Sequence, residues 1–224
     1  MHKQKTLASE FSLQGKGLHT GLDIHITFKP APENHGYKIK RTDLEGQPVL
    51  DALAENVIHT QRGTVIGKNN VQISTIEHAM AALYAWEVDN CLIEVDAPEF
   101  PILDGSALPF SEGIKSVGLT EQNAPRDYYI VRRKIEVRDE ATGASLVILP
   151  DDKFSVNVLI NFDSPVLSNQ YASLTDLNRF ADELAASRTF VFVREINTLF
   201  QNGLIKGGDL DNAIVIYDRE MPQA

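Results

Sequence analysis

Residues 71–85 of the chain read VQISTIEHAMAALYA and join a strand pattern directly to a helix pattern. Val71-Gln72-Ile73 alternates apolar and polar side chains, as a half-buried strand does. The next four residues, Ser74 to Glu77, match the Ser-x-x-Glu capping box and predict a helix over 78–85. A strand that feeds a helix in this way favours an α+β fold, in which both kinds of element cover one core.

The order of strands followed by a helix occurs once in each half of the sequence. In the first half, the alternation over 22–28 predicts a strand with Leu22, Ile24, Ile26 and Phe28 on one face. Further predicted elements are strands at 37–41 and 90–95, a turn at 104–106 with a helix to about 116, strands at 129–137, 144–149, 154–160 and 213–217, and a helix at 174–186. A polar segment at 121–126 separates the halves. We predict two sequential sheet-plus-helix domains of related architecture, at 1–122 and 127–224, the second without its C-terminal part.

Composition narrows the class of protein. The 224 residues carry a net charge of −10 and a single Cys. Acidic side chains in excess do not suit nucleic acid or an anionic membrane surface, and one Cys excludes a disulfide framework and a Cys-based zinc module. No apolar run approaches the length of a membrane span, so we expect no membrane insertion. A lone thiol and the lack of a signal-peptide pattern predict a cytoplasmic protein.

Glu77 and His78 are adjacent at the predicted start of a helix, where a carboxylate and an imidazole can form one corner of a metal site. Taken alone, the pair is better explained by Glu77 in a capping box and His78 as an ordinary helix residue. A catalytic zinc ion usually takes three protein ligands, and no His-Glu-x-x-His, His-x-His or Cys-x-x-Cys spacing is present.

Two glycine-rich loops and one strand-like segment are the other candidates. The loop at 15–21 is most simply a hairpin connection, although His19 is unusual in a pure turn. The segment 187–192 puts the Thr189 hydroxyl beside two aromatic side chains, and by itself it indicates a core strand. The loop at 206–212, taken alone, is predicted to be a turn. Cys91 lies among apolar residues and is predicted to be a small buried side chain.

In order along the chain, these short motifs closely resemble the UDP-3-O-acyl-N-acetylglucosamine deacetylase family of lipid A biosynthesis. The resemblance covers nearly the whole chain and is carried by GLHTG at 17–21, RTDL at 41–44, ISTIEH at 73–78, DN at 89–90, APEFPILDGSA at 97–107, SRTF at 187–190 and DNAIV at 211–215. It implies a zinc-dependent amidohydrolase of two α+β domains, which removes the acetyl group of UDP-3-O-acyl-N-acetylglucosamine in the committed step of lipid A synthesis.

The resemblance also assigns roles to residues. It implies that Glu77 is the general base, that His78 binds zinc and that Thr189 helps to stabilise the oxyanion. The residues assigned to substrate binding are His19, Phe190 and Phe192 around the sugar and, in an acyl-passage insert near 193–213, Ile196, Leu199 and Leu204.

One departure from the family pattern is large. The family completes its zinc site with a His-Lys-x-x-Asp-x-x-Gly-Asp helix and takes its general acid from a later His, whereas no His follows His78 here. We expect an N-terminal part of the enzyme that lacks a C-terminal segment or a fused domain, with little activity alone and a poorly held metal. Two alternatives stay open: a non-catalytic module that binds a UDP-sugar or a partner protein, and a second chain that supplies the missing ligands.

Overall fold

The computed structural model describes residues 2–219 of the chain. Its α-helices are α1 (Glu77–Ala85), α2 (Leu108–Val117), α3 (Phe180–Glu183) and α4 (Val193–Gln201), with two 3-10 turns at Ala54–Asn56 and Leu177–Arg179. Its strands are β1 (Lys3–Leu7), β2 (Phe11–Lys16), β3 (Asp23–Pro30), β4 (Tyr37–Arg41), β5 (Val49–Asp51), β6 (Val57–His59), β7 (Val65–Lys68), β8 (Val71–Ile73), β9 (Cys91–Val95), β10 (Leu119–Pro125), β11 (Ile135–Arg138), β12 (Ser145–Ile148), β13 (Val156–Ile160), β14 (Gln170–Leu174), β15 (Phe190–Phe192) and β16 (Ile214–Ile216).

The first half contains a five-stranded mixed sheet with two helices, together with smaller sheets of β1 with β10 and of β6, β7 and β8, which confirms the predicted α+β class. In the five-stranded sheet the strand order is β2-β3-β9-β4-β5, and only the pairing of β4 with β9 is parallel. Alternate residues of β3 and β9 enter the core beneath α1 and α2, where Phe110 of α2 meets Phe28 edge to face. Cys91 is fully buried there, as predicted, and burial raises the pKa of its thiol to about 12. Within residues 2–219, no helix is long and apolar enough to span a membrane.

Two local predictions in the first half are wrong. Leu22 is 49% exposed, because β3 begins at Asp23 and Leu22 belongs to the preceding loop. The capping box does not form: α1 begins at Glu77, and the Ser74 hydroxyl bonds to the Pro98 carbonyl instead of capping the helix. The reason is the pairing of Ser74 with the segment at Glu99, which draws its side chain away from the helix.

The polar segment 121–126 is also not a break in structure. Most of it belongs to β10, which pairs antiparallel with β1. Arg126, just after the strand, donates hydrogen bonds to the carboxylates of Glu87 and Asp89. The polar residues of this segment contact partners in the first half, so the segment packs as part of that half; the domain division itself stays a prediction.

The second half contains hairpins and one crossover unit. Strands β11 with β12 and β13 with β14 form two antiparallel pairs, while β15, α4 and β16 form a βαβ unit with parallel strands. Two predictions are corrected here. The strand predicted at 129–137 is confined to β11. The helix predicted at 174–186 consists only of the 3-10 turn and α3, and its first residue, Leu174, belongs to β14 and pairs with Val156 of β13. Exposed apolar side chains crowd the hairpins, among them Val137, Leu146, Leu149, Val158, Leu159 and Tyr171.

Candidate functional site

A cavity of about 190 Å³ lies between the β2–β3 loop and the βαβ unit. Most of its wall is apolar, and the polar groups are few. Its lining residues are Leu18, His19, Arg62, Thr189, Phe190, Val191, Ile196, Leu199, Phe200, Ile205, Gly208, Asp209, Leu210, Ala213 and Val215. A concave, largely apolar site with a few convergent polar groups is the form that small-molecule pockets take.

The two glycine-rich loops meet at this cavity and join the halves of the chain. Gly207 donates its N–H to the Leu18 carbonyl at 3.1 Å. Gly207 is buried, and a Cβ there would collide with the backbone carbonyl of Gly17. The loop at 206–212 is therefore more than the turn predicted from its sequence, because it forms part of the pocket wall.

Backbone hydrogen bonds hold Thr189 at the junction of the two halves. Its N–H donates to the Gly105 carbonyl at 2.7 Å, and its own carbonyl accepts from Ile214 of β16 at 3.0 Å. The neighbouring Arg188 guanidinium donates from Nε to the Asp104 carbonyl at 2.7 Å and from Nη2 to the Leu210 carbonyl at 3.1 Å. With its backbone fixed from both sides, Thr189 is held at the cavity wall.

His19 presents a polar face beside the same cavity. Its Nε2 lies 3.3 Å from the Arg62 carbonyl oxygen, which can only accept, so the proton of this contact sits on Nε2. Its Nδ1 is buried and has no hydrogen-bond partner among the described residues. A buried nitrogen without a partner is costly, and a ligand group that donates a hydrogen bond would relieve that cost.

Glu77 and His78 are half-buried and do not line the cavity themselves. Glu77 Oε2 accepts a hydrogen bond from the Thr64 N–H at 2.9 Å, so the short segment from Arg62 to Thr64 links this carboxylate to the cavity. A Cβ on Gly63 would lie 3.3 Å from Glu77 Oε1, which places the carboxylate directly beneath that segment.

Five of the nine predicted site residues thus line one cavity: His19, Thr189, Phe190, Ile196 and Leu199. Phe192 is buried behind it, with the Arg194 guanidinium over its ring, and Leu204 bonds its N–H to the Leu199 carbonyl at the end of α4. The sequence reasoning missed Arg62, Phe200, Ile205 and Leu210. The apolar pattern of the region after residue 193 could have indicated the last three as cavity residues. Nothing in the sequence indicated Arg62 as a cavity residue.

An ion pair connects the segment above Glu77 to the crossover helix. The Arg62 guanidinium donates to both carboxylate oxygens of Glu195 in α4, with a shorter contact of 2.8 Å. This hydrogen bond from Arg62 lowers the pKa of Glu195. The pair spans the two halves at the rim of the cavity.

We expect this pair to contribute a coupling free energy of about 0.5 kcal/mol at neutral pH, since Arg62 is well exposed and screened by water. The pKa of Glu195 is lowered from 4.5, so the contribution is present above that value and is lost as the pH falls through the folded-state pKa. A double-mutant cycle with Arg62→Gln and Glu195→Gln, measured by urea unfolding at pH 7 and at about pH 3, checks this. A coupling that is unchanged at the lower pH would contradict it.

The zinc ion implied by the resemblance needs a group of converging donors. In residues 2–219, no three His, Cys, Asp or Glu side chains come together as a metal-binding group. A catalytic zinc ion takes three protein ligands and keeps one open position. The described residues therefore do not fit the ion by themselves, and His78 is at most one of its ligands.

Comparison with known proteins finds the same family along nearly the whole chain. Residues 4–223 match the family model described as LpxC, UDP-3-O-acyl N-acetylglycosamine deacetylase. The chain is 64% identical to a bifunctional enzyme LpxC/FabZ of Bacteroides thetaiotaomicron and 66% identical to one of Porphyromonas gingivalis, and covers 48% of each relative. It is 43% identical to the UDP-3-O-acyl-N-acetylglucosamine deacetylase of Myxococcus xanthus, with 96% of this chain and 68% of that relative aligned.

The chain spans about half the length of the two bifunctional relatives. The family match, by contrast, extends from β1 to beyond β16 and includes every residue assigned to the site. The chain belongs to the family of UDP-3-O-acyl N-acetylglycosamine deacetylases.

Proposed function

We propose that the protein containing this chain hydrolyses the acetamide of UDP-3-O-acyl-N-acetylglucosamine to the free amine and acetate, the committed step of lipid A synthesis. The observation that carries the proposal is the cavity itself. One side is apolar, as a fatty acyl chain requires, and the Thr189 hydroxyl and His19 supply polar groups at its wall. The single Cys is buried, which supports a cytoplasmic location for the protein.

In this proposal, Glu77 accepts the proton of the attacking water, and its orientation is set by the hydrogen bond from Thr64. The Thr189 hydroxyl donates to the oxygen that becomes negative when the tetrahedral intermediate forms. Collapse of that intermediate breaks the C–N bond and releases acetate and the amine. The leaving nitrogen needs a proton from a general acid, which the resemblance places in a later His.

Zinc dependence is part of the proposal for the whole protein, with His78 as a ligand among the described residues. These residues assemble no group of three ligands by themselves, so further ligands would come from elsewhere in the whole protein. We expect the 224-residue chain alone to hold zinc weakly and to release little acetate. Acetate release from the substrate by the whole protein tests the proposal, and a purified protein that loads zinc but releases none would refute it.

The sequence also left open a module that binds the UDP-sugar without hydrolysing it, and residues 2–219, which assemble no three-ligand group by themselves, are compatible with that alternative. The 224-residue chain separates the two ideas when it is mixed with a separately made C-terminal segment of a bifunctional relative. Acetate release by the mixture supports an enzyme whose site is shared between segments. Substrate binding without any release, with zinc present, supports the binding module.

The acyl chain is expected to contact α4, so Ile196→Ala should weaken the binding of a long-chain substrate by tenfold or more, with less effect on a short-chain analogue. Three buried carbons are lost, at about 0.8 kcal/mol each. Titration calorimetry of the whole protein carrying Glu77→Gln, in which hydrolysis is slow, measures this difference. Ile130→Ala is the matched control, because Ile130 is exposed and lies away from the cavity. Equal weakening for both substrates would place the acyl chain elsewhere.

A further inference from the structure

Glu99 is a buried carboxylate that forms no ion pair among the described residues. It is fully buried, at 0% exposure, yet its four hydrogen bonds all come from neutral donors. Oε1 accepts from the His19 N–H at 2.8 Å and the Thr75 hydroxyl at 3.1 Å. Oε2 accepts from the N–H and the hydroxyl of Thr20, at 2.9 and 2.8 Å.

The four donors belong to two separate parts of the site. His19 and Thr20 lie in the β2–β3 loop at the cavity, whereas Thr75 lies two residues before Glu77. Thr75 has a positive φ of 60°, a conformation that is unfavourable for a β-branched residue and that its buried hydroxyl bond to Glu99 helps to hold. One carboxylate therefore ties the loop that carries His19 to the turn from which α1 and Glu77 begin.

The surrounding backbone is built to admit this carboxylate. A Cβ on Gly17 would lie 2.5 Å from Glu99 Oε2, so only glycine leaves room at that position. Ser74 donates its N–H to the Pro98 carbonyl at 3.0 Å and accepts from the Phe100 N–H at 3.1 Å, which fixes the main chain on both sides of Glu99 beside the same turn. An ionised carboxylate only accepts and has about four lone-pair sites, so four donors satisfy it completely.

We propose that Glu99 is a positioning residue, which sets the distance between the His19 side of the cavity and the Glu77 carboxylate. This inference rests on the proposed function for its kinetic consequences. Through the His19 N–H on Oε1 and the Thr20 N–H and hydroxyl on Oε2, Glu99 holds the loop that contacts substrate in the proposed function. Through the Thr75 hydroxyl, it holds the first turn of α1 and hence the general base.

The hydrogen bonds of Glu99 to the β2–β3 loop and to Thr75 predict different kinetic effects, measured on the zinc-loaded whole protein. Thr20→Val removes a donor in the loop and should raise KM at least fivefold with kcat within twofold. Thr75→Val removes the donor beside Glu77 and should lower kcat at least tenfold with KM within twofold. Thr20→Ser and Thr75→Ser keep each hydroxyl and should restore both constants. A purely structural role would move neither constant in this selective way.

A second readout does not depend on activity. In Glu99→Gln, the amide group puts N–H donors against the existing donors, so hydrogen exchange at the His19 and Thr20 amides should accelerate at least tenfold. Exchange at the amides of Ile26 and Ile93, in the core of the sheet, should stay unchanged. If Glu99→Gln does not fold, the exchange measurement is made on Thr20→Val, where acceleration is expected at the same two amides.

The outcomes separate this inference from the proposed function. A wild-type protein that releases no acetate refutes the proposed function, and the exchange rates then decide whether Glu99 holds the loop. An active wild type whose threonine variants keep both kinetic constants within twofold overturns the positioning role of Glu99. Loss of activity in the serine variants equal to that in the valine variants would also overturn it.

Discussion

Replacing Glu77 by glutamine in the whole protein is expected to lower turnover by a factor of about 100 or more, equivalent to about 2.7 kcal/mol of transition-state stabilisation. Glutamine has nearly the same shape, and its carbonyl oxygen can still accept the hydrogen bond from the Thr64 N–H. It cannot take a proton from water, so the chemical step is lost while the fold remains. Acetate release under saturating substrate measures the effect, with zinc content and unfolding recorded alongside.

Glu112→Gln is the matched control, since Glu112 is an exposed carboxylate on helix α2, away from the cavity. It should leave turnover unchanged. If Glu77→Gln also kept near-normal turnover, Glu77 would have only the structural role of accepting from Thr64. Equal losses in both variants would indicate a general effect of charge.

Gly105→Ala is expected to have the largest effect on stability. Gly105 has a φ of +84°, and a Cβ built on it falls closer than 3.0 Å to the backbone carbonyl of Asn212. The backbones of Gly105 and Asn212 cannot move apart without disturbing the hydrogen bond from the Thr189 N–H to the Gly105 carbonyl. We expect Gly105→Ala to reduce the free energy of unfolding and to displace Thr189 from the cavity wall.

Gly118→Ala separates the cost of conformation from the cost of collision. Gly118 has a similar φ of +73°, but nothing lies within 4 Å of its Cβ position. Its replacement should cost about 1–3 kcal/mol from backbone strain alone. Gly105→Ala should cost about 2 kcal/mol more, measured by urea unfolding. Equal costs for the two variants would show that Gly105 and the loop at Asn212 are not in close contact.

Periodicity predicted the elements that local pattern controls. The alternation over Ile24, Ile26 and Phe28 identifies the buried face of β3, and the strand-to-helix transition before α1 is found within one residue. These succeed because burial on one face repeats with the period of the element. The helix predicted at 174–186 is too long at its start, because Leu174 belongs to β14 and pairs with Val156 of β13.

The site could be predicted only in part. The motif order identified Glu77, His78 and Thr189 as residues of one family, but not the contacts that join them. Glu99 lies in the APEFPILDGSA motif at 97–107, and the resemblance assigned it no role. Its positioning role depends on donors at residues 19, 20 and 75, which only the folded chain brings together. Arg62 has no sequence signal, because its partner Glu195 lies in the other half of the chain.

The central claim is that the cavity and the Glu77 carboxylate serve a single substrate molecule. A crystal structure of the whole protein with Glu77→Gln and bound UDP-3-O-acyl-N-acetylglucosamine tests this most directly. We expect the acyl chain to lie along Ile196 and Leu199, and the acetamide oxygen to lie within hydrogen-bond distance of the Thr189 hydroxyl, beside residue 77. An acyl chain outside this cavity, or an acetamide remote from both residues, would contradict the account.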